Sequence, residues 1–382
     1  MRAWLPVALV LAAAAAGCST ESSDPSAGTS SSPAGLAGTS SSSATSTPSA
    51  DPGEGTAASP SVATAVDDPL DWAPQPGADG ATVTTNGAWT LTVPDGGASY
   101  TLSEGDRARP GDVPAGRQVV DGLLNDRWAV VVTQDRQEEQ PQQATAVELA
   151  TGREVVVDGS SQPPTTTGGT WALDGDRLAY ATLRGRDYCL AILDLASGRA
   201  ATGPCVGARE GFNGVQLSDA GDALLRFDLG ATQRSCRTVV AVEGQRLAPF
   251  PTVPAAKARC GGAEGAWLEG PDGVGQIWAV VPQERRFEEA HFYARTGEEY
   301  VDLGPGDNGT LTLCGGAAYF ARSAQTGDGT AALLRWDGTE LATVYESHPG
   351  QAVIAGVQCG GSMLTLTSLA TGGDETVTAP LR

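Results

Sequence analysis

Val147–Val157 reads VELATGREVVV and Ile192–Gly203 reads ILDLASGRAATG. In each, a short β-branched or aliphatic run meets a small polar turn carrying Gly, and a second run follows, which is the signature of an antiparallel hairpin. The same unit returns as VAVEGQRLAPF (Val240–Phe250), FYARTGEEYVDL (Phe292–Leu303) and LRWDGTELATV (Leu334–Val344). The turn glycines Gly152, Gly198, Gly244, Gly297 and Gly338 are therefore 46, 46, 53 and 41 residues apart. Trp89, Trp128, Leu178, Leu224, Trp278, Phe320 and Leu364 mark a second rhythm, each inside an apolar run just upstream.

A period near 45 residues is the length of one four-stranded blade, and such a blade cannot bury both faces of its twisted sheet alone. The chain is expected to be all-β, a seven-bladed β-propeller, with six or eight blades left open by the uneven spacing. Gly (50) and Pro (24) make up about a fifth of the 382 residues against a usual ~12%, too much punctuation for a helical bundle. The last unit, MLTLTSLATGGDETVTAPLR (Met363–Arg382), shows only two strands. Closure of the ring is expected from strands near Ala81–Val93 beside Glu375–Leu381.

Residues 1–17 carry Arg2 and then an apolar run, Ala3–Ala16, too short to cross a bilayer as a mature helix. Ala15-Ala16-Gly17-Cys18 resembles a bacterial lipobox, whose Cys becomes the lipidated first residue; Ala15 stands where Leu is usual, and Ala14-x-Ala16 offers an ordinary secretory cleavage site instead. The resemblance implies a lipoprotein held by Cys18 on the extracytoplasmic side of the cell membrane. Residues 18–71 are almost wholly Ser, Thr, Ala, Gly, Pro and acids and cannot offset their ordering entropy, so a disordered linker reaching roughly 40 Å is expected before a folded head at 72–382.

Two stretches resemble known propeller repeats. VELATGREVV and ILDLASGRA look like quinoprotein (PQQ-type) repeats, and LSDAGDALLRFDL (Leu217–Leu229) is similar to the WD40-like repeat of TolB-type propellers. The vicinal Cys pair that covers the quinone in many quinoproteins is absent, so no cofactor is expected.

Removing Cys18 for acylation leaves six cysteines, an even number suited to an exported chain. Cys189 and Cys205 flank the turn at Ser197-Gly198 symmetrically and are expected to face each other across a hairpin. Cys260, Cys314 and Cys359 each open a Cys-Gly-Gly tripeptide and are expected at equivalent turns between first and second strands. Cys236 with Cys260 and Cys314 with Cys359 is the economical pairing of the other four, which allow three connectivities.

No catalytic constellation is legible. His291 and His348 are the only histidines, and neither lies in a nucleophile motif; no G-x-S-x-G elbow and no Cys-x-x-Cys occur. The acidic turns Asp174-Gly175-Asp176, Asp272-Gly273 and Asp307-Asn308-Gly309 match no complete calcium loop and are read as tight turns, so no metal is expected. A net charge of −21 sets long-range repulsion against nucleic acid.

Loops between second and third strands of successive blades fall on one disc face. Arg136, Arg184, Arg186, Arg234, Arg285, Arg286 and Arg322 lie in them, a set of planar donor forks suited to carboxylates or phosphates. The expectation is a monomeric binding or scaffolding module for an envelope protein or glycan, and not an enzyme. The alternative is a carboxylate-dependent hydrolase or lyase, or a quinone-dependent enzyme, working in the central channel.

Overall fold

A computed structural model describes residues 60–381 apart from 77, 79, 230–234, 251–259, 271–272 and 283–288. Residues 1–17, Cys18, most of the linker, Arg234, Arg285 and Arg286 lie outside the described residues. The chain forms seven sheets, each built on four antiparallel strands, and the described residues hold a single 3-10 turn, Asp95–Gly97, and no other helix. It is a seven-bladed β-propeller.

Blade 1 comprises Ala81–Thr85, Trp89–Pro94, Tyr100–Glu104 and Arg107–Gly111. The first strands of blades 2 to 7 are Arg117–Leu124, Trp171–Asp174, Glu210–Gln216, Gly262–Gly270, Thr312–Cys314 and Val353–Cys359. These lie innermost: Ala81–Thr85 touches both Arg117–Leu124 and Val353–Cys359, which joins blade 7 to blade 1. Five turn glycines read from the sequence, Gly152, Gly198, Gly244, Gly297 and Gly338, all close third-to-fourth-strand hairpins with positive φ, a conformation that side chains disfavour.

Strand position explains side-chain pattern. Trp128–Asp135, the second strand of blade 2, is buried at every residue because a neighbouring blade covers each face, so it reads as a continuous apolar run. Gln143–Glu148, next outward, alternates. The core is accordingly divided between blades. Trp128, Val130 and Ala144 of blade 2 pack on Trp171, Leu178 and Tyr180 of blade 3, and similar apolar clusters join blades 1–2, 3–4, 4–5, 5–6 and 6–7. Among the described residues no such cluster spans blades 7 and 1. There the backbones meet closely instead, since a Cβ at Gly360 would overlap Thr85.

Two expectations need correction here. The stretch expected as linker already holds strands among its described residues: Ser61–Val62 adds parallel to the outer strand of blade 5 and Val66–Asp67 parallel to that of blade 6. Ala73–Pro74 then pairs with Thr378 and Val377 as the outer strand of blade 7 and closes the ring. Ala81–Val93, expected to do this, belongs to blade 1. Strands of two residues with exposed side chains carry no hydrophobic period, so these strands leave no pattern in the sequence. Leu70, 5% exposed, and Trp72 anchor it; Trp72 Nε1–H donates to Val344 O (2.7 Å), and its ring meets Tyr345 edge-on at 5.4 Å.

Three disulfides are formed. Cys189–Cys205 joins residues directly opposite each other in blade 3. Cys236–Cys260 ties the third strand of blade 4 to the approach to blade 5, and Cys314–Cys359 joins the first strands of blades 6 and 7. Cys314 and Cys359 end their strands at Gly-Gly turns, as expected. Cys260 does not: its Gly261-Gly262 enters the first strand of blade 5, at the opposite end, because Gly262 must approach the backbone of Arg237–Val239.

Candidate functional site

First-to-second-strand turns gather at one mouth of the channel and second-to-third-strand turns at the other. At the first mouth, the ends of six inner strands wall a cavity of about 400 Å³. Asn125, Gln216, Asp219, Trp267, Glu269 and Gln358 bring polar or aromatic side chains to it, the Cys314–Cys359 bridge forms part of the wall, and the lining contains no Lys, Arg or His. Trp267 is braced by Gly221, beneath its ring, and by Phe250 at 5.3 Å. Gln216 Nε2–H donates to Leu311 O (3.2 Å), tying the walls from blades 4 and 6 together.

Amide hydrogen bonds and two ion pairs around this mouth link one blade to the next. Asn86 donates to Asn125 O (3.0 Å), and Asn125 in turn to Gly175 O (2.8 Å). Arg127 pairs with Asp176 of blade 3 at 2.7 Å, and Arg177 with Asp222 of blade 4 at 2.9 Å. Arg127 and Arg153 both grip Glu148, and the Arg127 hydrogen bond, followed by that of Thr151, holds its carboxyl down at about 2. Both guanidinium groups also lie over the Trp128 ring, at 5.7 and 5.1 Å. Asp174 of the acidic turn is 2.6 Å from Arg177, so that turn's carboxylates are neutralised by arginines. Asp219 and Glu269 are exposed and carry no ion pair among the described residues.

At the other mouth the predicted arginines divide. Arg136, Arg184 and Arg186 are exposed at the second-to-third-strand turns of blades 2 and 3 and carry no ion pair among the described residues. Arg322 turns inward: Nε–H donates to Pro305 O (2.8 Å) of blade 5, and burial pushes its pKa down against the pull of Asp307. Its Nε–H links blade 6 to blade 5 while the residue stays half-buried.

Two carboxyls escaped the sequence reading. Glu264, 7% exposed, accepts N–H bonds from Gly309 to Oε1 and from Leu311 to Oε2, both 3.1 Å, and so stitches blade 5 to the chain entering blade 6. Burial pushes it up to about 7 despite those donors. Asp121, on the inner strand of blade 2, is pushed up to about 6 by burial, opposed by the N–H of Gly122. The available signal was an acid inside a strand, in GAEGAWLEG and RQVVDGLL, where β-propensity disfavours it.

No family model matches the chain, and no curated protein matches it in sequence. Among solved structures it is similar to the β-propeller domain of the Trilobed protease from Pyrococcus furiosus, with a TM-score of 0.53 and 11% identity over 78% of this chain and 95% of that one. A prolyl endopeptidase structure gives a TM-score of 0.46 at 14% identity, covering 78% of this chain, which spans about half of that one (46%). A chain of the mitotic checkpoint complex gives 0.49 at 10% identity, covering 86% and 98%. At such identities the first of these likenesses shows the fold alone: this chain shares the propeller architecture of the archaeal domain.

Proposed function

We propose that this chain is an exported recognition module, held by a lipid on Cys18 at the outer face of the cell membrane, that binds an envelope glycan as a monomer at the first-to-second-strand mouth of its channel. The observation that carries this reading is the cavity of about 400 Å³, within the range of small-ligand sites, lined by an indole, amides and two unpaired carboxylates without any cation. An aromatic face stacks on the C–H side of a sugar while amides and carboxylates take its hydroxyls. Recognition is favoured over turnover by where the acids sit. Glu264 is occupied by backbone N–H groups and Asp174 by Arg177, which leaves the exposed Asp219 and Glu269 as acceptors for hydroxyls.

The test is binding of the purified full-length chain to isolated cell-wall glycan, wild type against Asp219→Asn/Glu269→Gln, whose exposed positions leave folding intact. At least tenfold weaker binding by the variant is expected. Equal binding refutes the site, and crosslinking in intact cells that captures only a protein, lost on Arg136→Ala/Arg184→Ala/Arg186→Ala, moves recognition to the opposite face. Cys18→Ser is expected to leave the membrane fraction, and continued partition with membranes refutes the anchor.

A further inference from the structure

A second cavity, about 340 Å³, lies between the inner strands of blades 1 and 2 and reaches Gln358 on blade 7. It is distinct from the mouth described above, although Gln358 lines both. Asp95, Asp121, Gln118, Gln358 and Thr82 supply its polar side chains, and no Lys, Arg or His lines it. We propose that this cavity is a binding site for a small organic cation bearing primary ammonium groups, held by the carboxylates of Asp121 and Asp95.

The backbone shows how the site is built. The inner strand of blade 2 bulges between Val119 and Asp121, which re-aims the carboxyl, and among the described residues its Oδ1 accepts the adjacent Gly122 N–H alone (2.9 Å). The Asp95–Gly97 turn forms the facing wall. Gly96 and Gly97 have φ of 76° and 58°, and a Cβ at Gly97 would overlap the Val119 carbonyl, so this turn can lean on blade 2 only with glycine there. The result is a half-buried carboxylate, an exposed second carboxylate at the rim and no ion pair to either among the described residues, an arrangement that a cation relieves. An ammonium group answers it with charge-assisted bonds to the carboxylates and further donors for the oxygens of Gln118, Gln358 and Thr82. A bare calcium ion fits less well: it needs six to eight oxygens at about 2.3–2.6 Å, and no group of three acidic, His or Cys ligands converges among the described residues.

The experiment is calorimetric titration of the full-length chain with 1,4-diaminobutane, 1,4-butanediol and calcium chloride. Saturable binding of the diamine is expected, at least tenfold tighter than the diol, and weakened at least tenfold by Asp121→Asn and by Asp95→Asn. Asp328→Asn, which removes an exposed carboxylate elsewhere, is expected to bind the diamine like wild type. Equal binding of the diol, displacement of the diamine by calcium at one equivalent, or wild-type binding by both pocket variants overturns the proposal. If Asp121→Asn alters the near-ultraviolet circular dichroism, Asp95→Asn on the exposed turn decides. Glycan binding at the other mouth can fail without affecting any of these readouts.

Discussion

Replacing Trp72 tests whether the strap closes the ring as a separate unit. Trp72→Phe removes one hydrogen bond, to a Val344 carbonyl that still accepts from Leu70 N (3.1 Å), so the loss is about 1 kcal/mol. Trp72→Ala also removes the edge-on contact with Tyr345 and the half-buried apolar surface of the indole, bringing the loss to about 3 kcal/mol. Local opening of the strap then becomes about 150-fold more frequent, since each 1.4 kcal/mol is tenfold. Hydrogen exchange reads this directly. The amides of Asp68 and Leu70, which donate to Thr343 O and Val344 O, are expected to exchange about 150-fold faster in Trp72→Ala and about fivefold faster in Trp72→Phe. The amides of Trp128–Asp135 in blade 2 keep their protection. Unchanged exchange at Asp68 and Leu70 refutes the anchoring role, and an equal loss of protection in blade 2 refutes the strap as a unit that opens separately.

Glu264 makes stability depend on pH. Its folded pKa of about 7 lies above the 4.5 of an unperturbed carboxyl, so the fold prefers the neutral acid; that contribution is complete below pH 4.5 and is lost as pH rises through 7. The lost stability is about 3 kcal/mol, and Glu264→Gln should flatten this part of the urea-unfolding profile relative to wild type; parallel profiles between pH 5 and 8 would count against it. The disulfides rank by loop length. Cys314→Ser/Cys359→Ser opens a 45-residue separation and should cost about 4 kcal/mol, while Cys189→Ser/Cys205→Ser opens 16 and costs about 3; the reverse order in urea midpoints contradicts the chain-entropy account.

The repeating hairpin was legible because its causes are local. Gly152 and its counterparts must adopt positive φ, and strands such as WAVVVTQD must be apolar on both faces, so turn chemistry and composition together mark each blade. The Cys189–Cys205 pairing was legible for the same reason, since a hairpin's register follows from its turn. The Arg322 contact with Pro305 was not legible because a loop arginine looks the same in sequence whether its donors meet solvent or a backbone carbonyl.

What the chain's residues determine unaided is therefore the blade: its length, its turns and its internal staple, each decided within about 45 residues. The circle of seven, the strap of residues 60–74, the place of Cys260 and the two cavities depend on tertiary structure, because they arise where groups far apart in sequence meet. Ser61 finds Val301, Glu264 finds Leu311, and Asp121 faces a turn from another blade. Such contacts join a backbone group or a side chain to a partner far along the chain, and the partner's identity leaves no local pattern in the sequence.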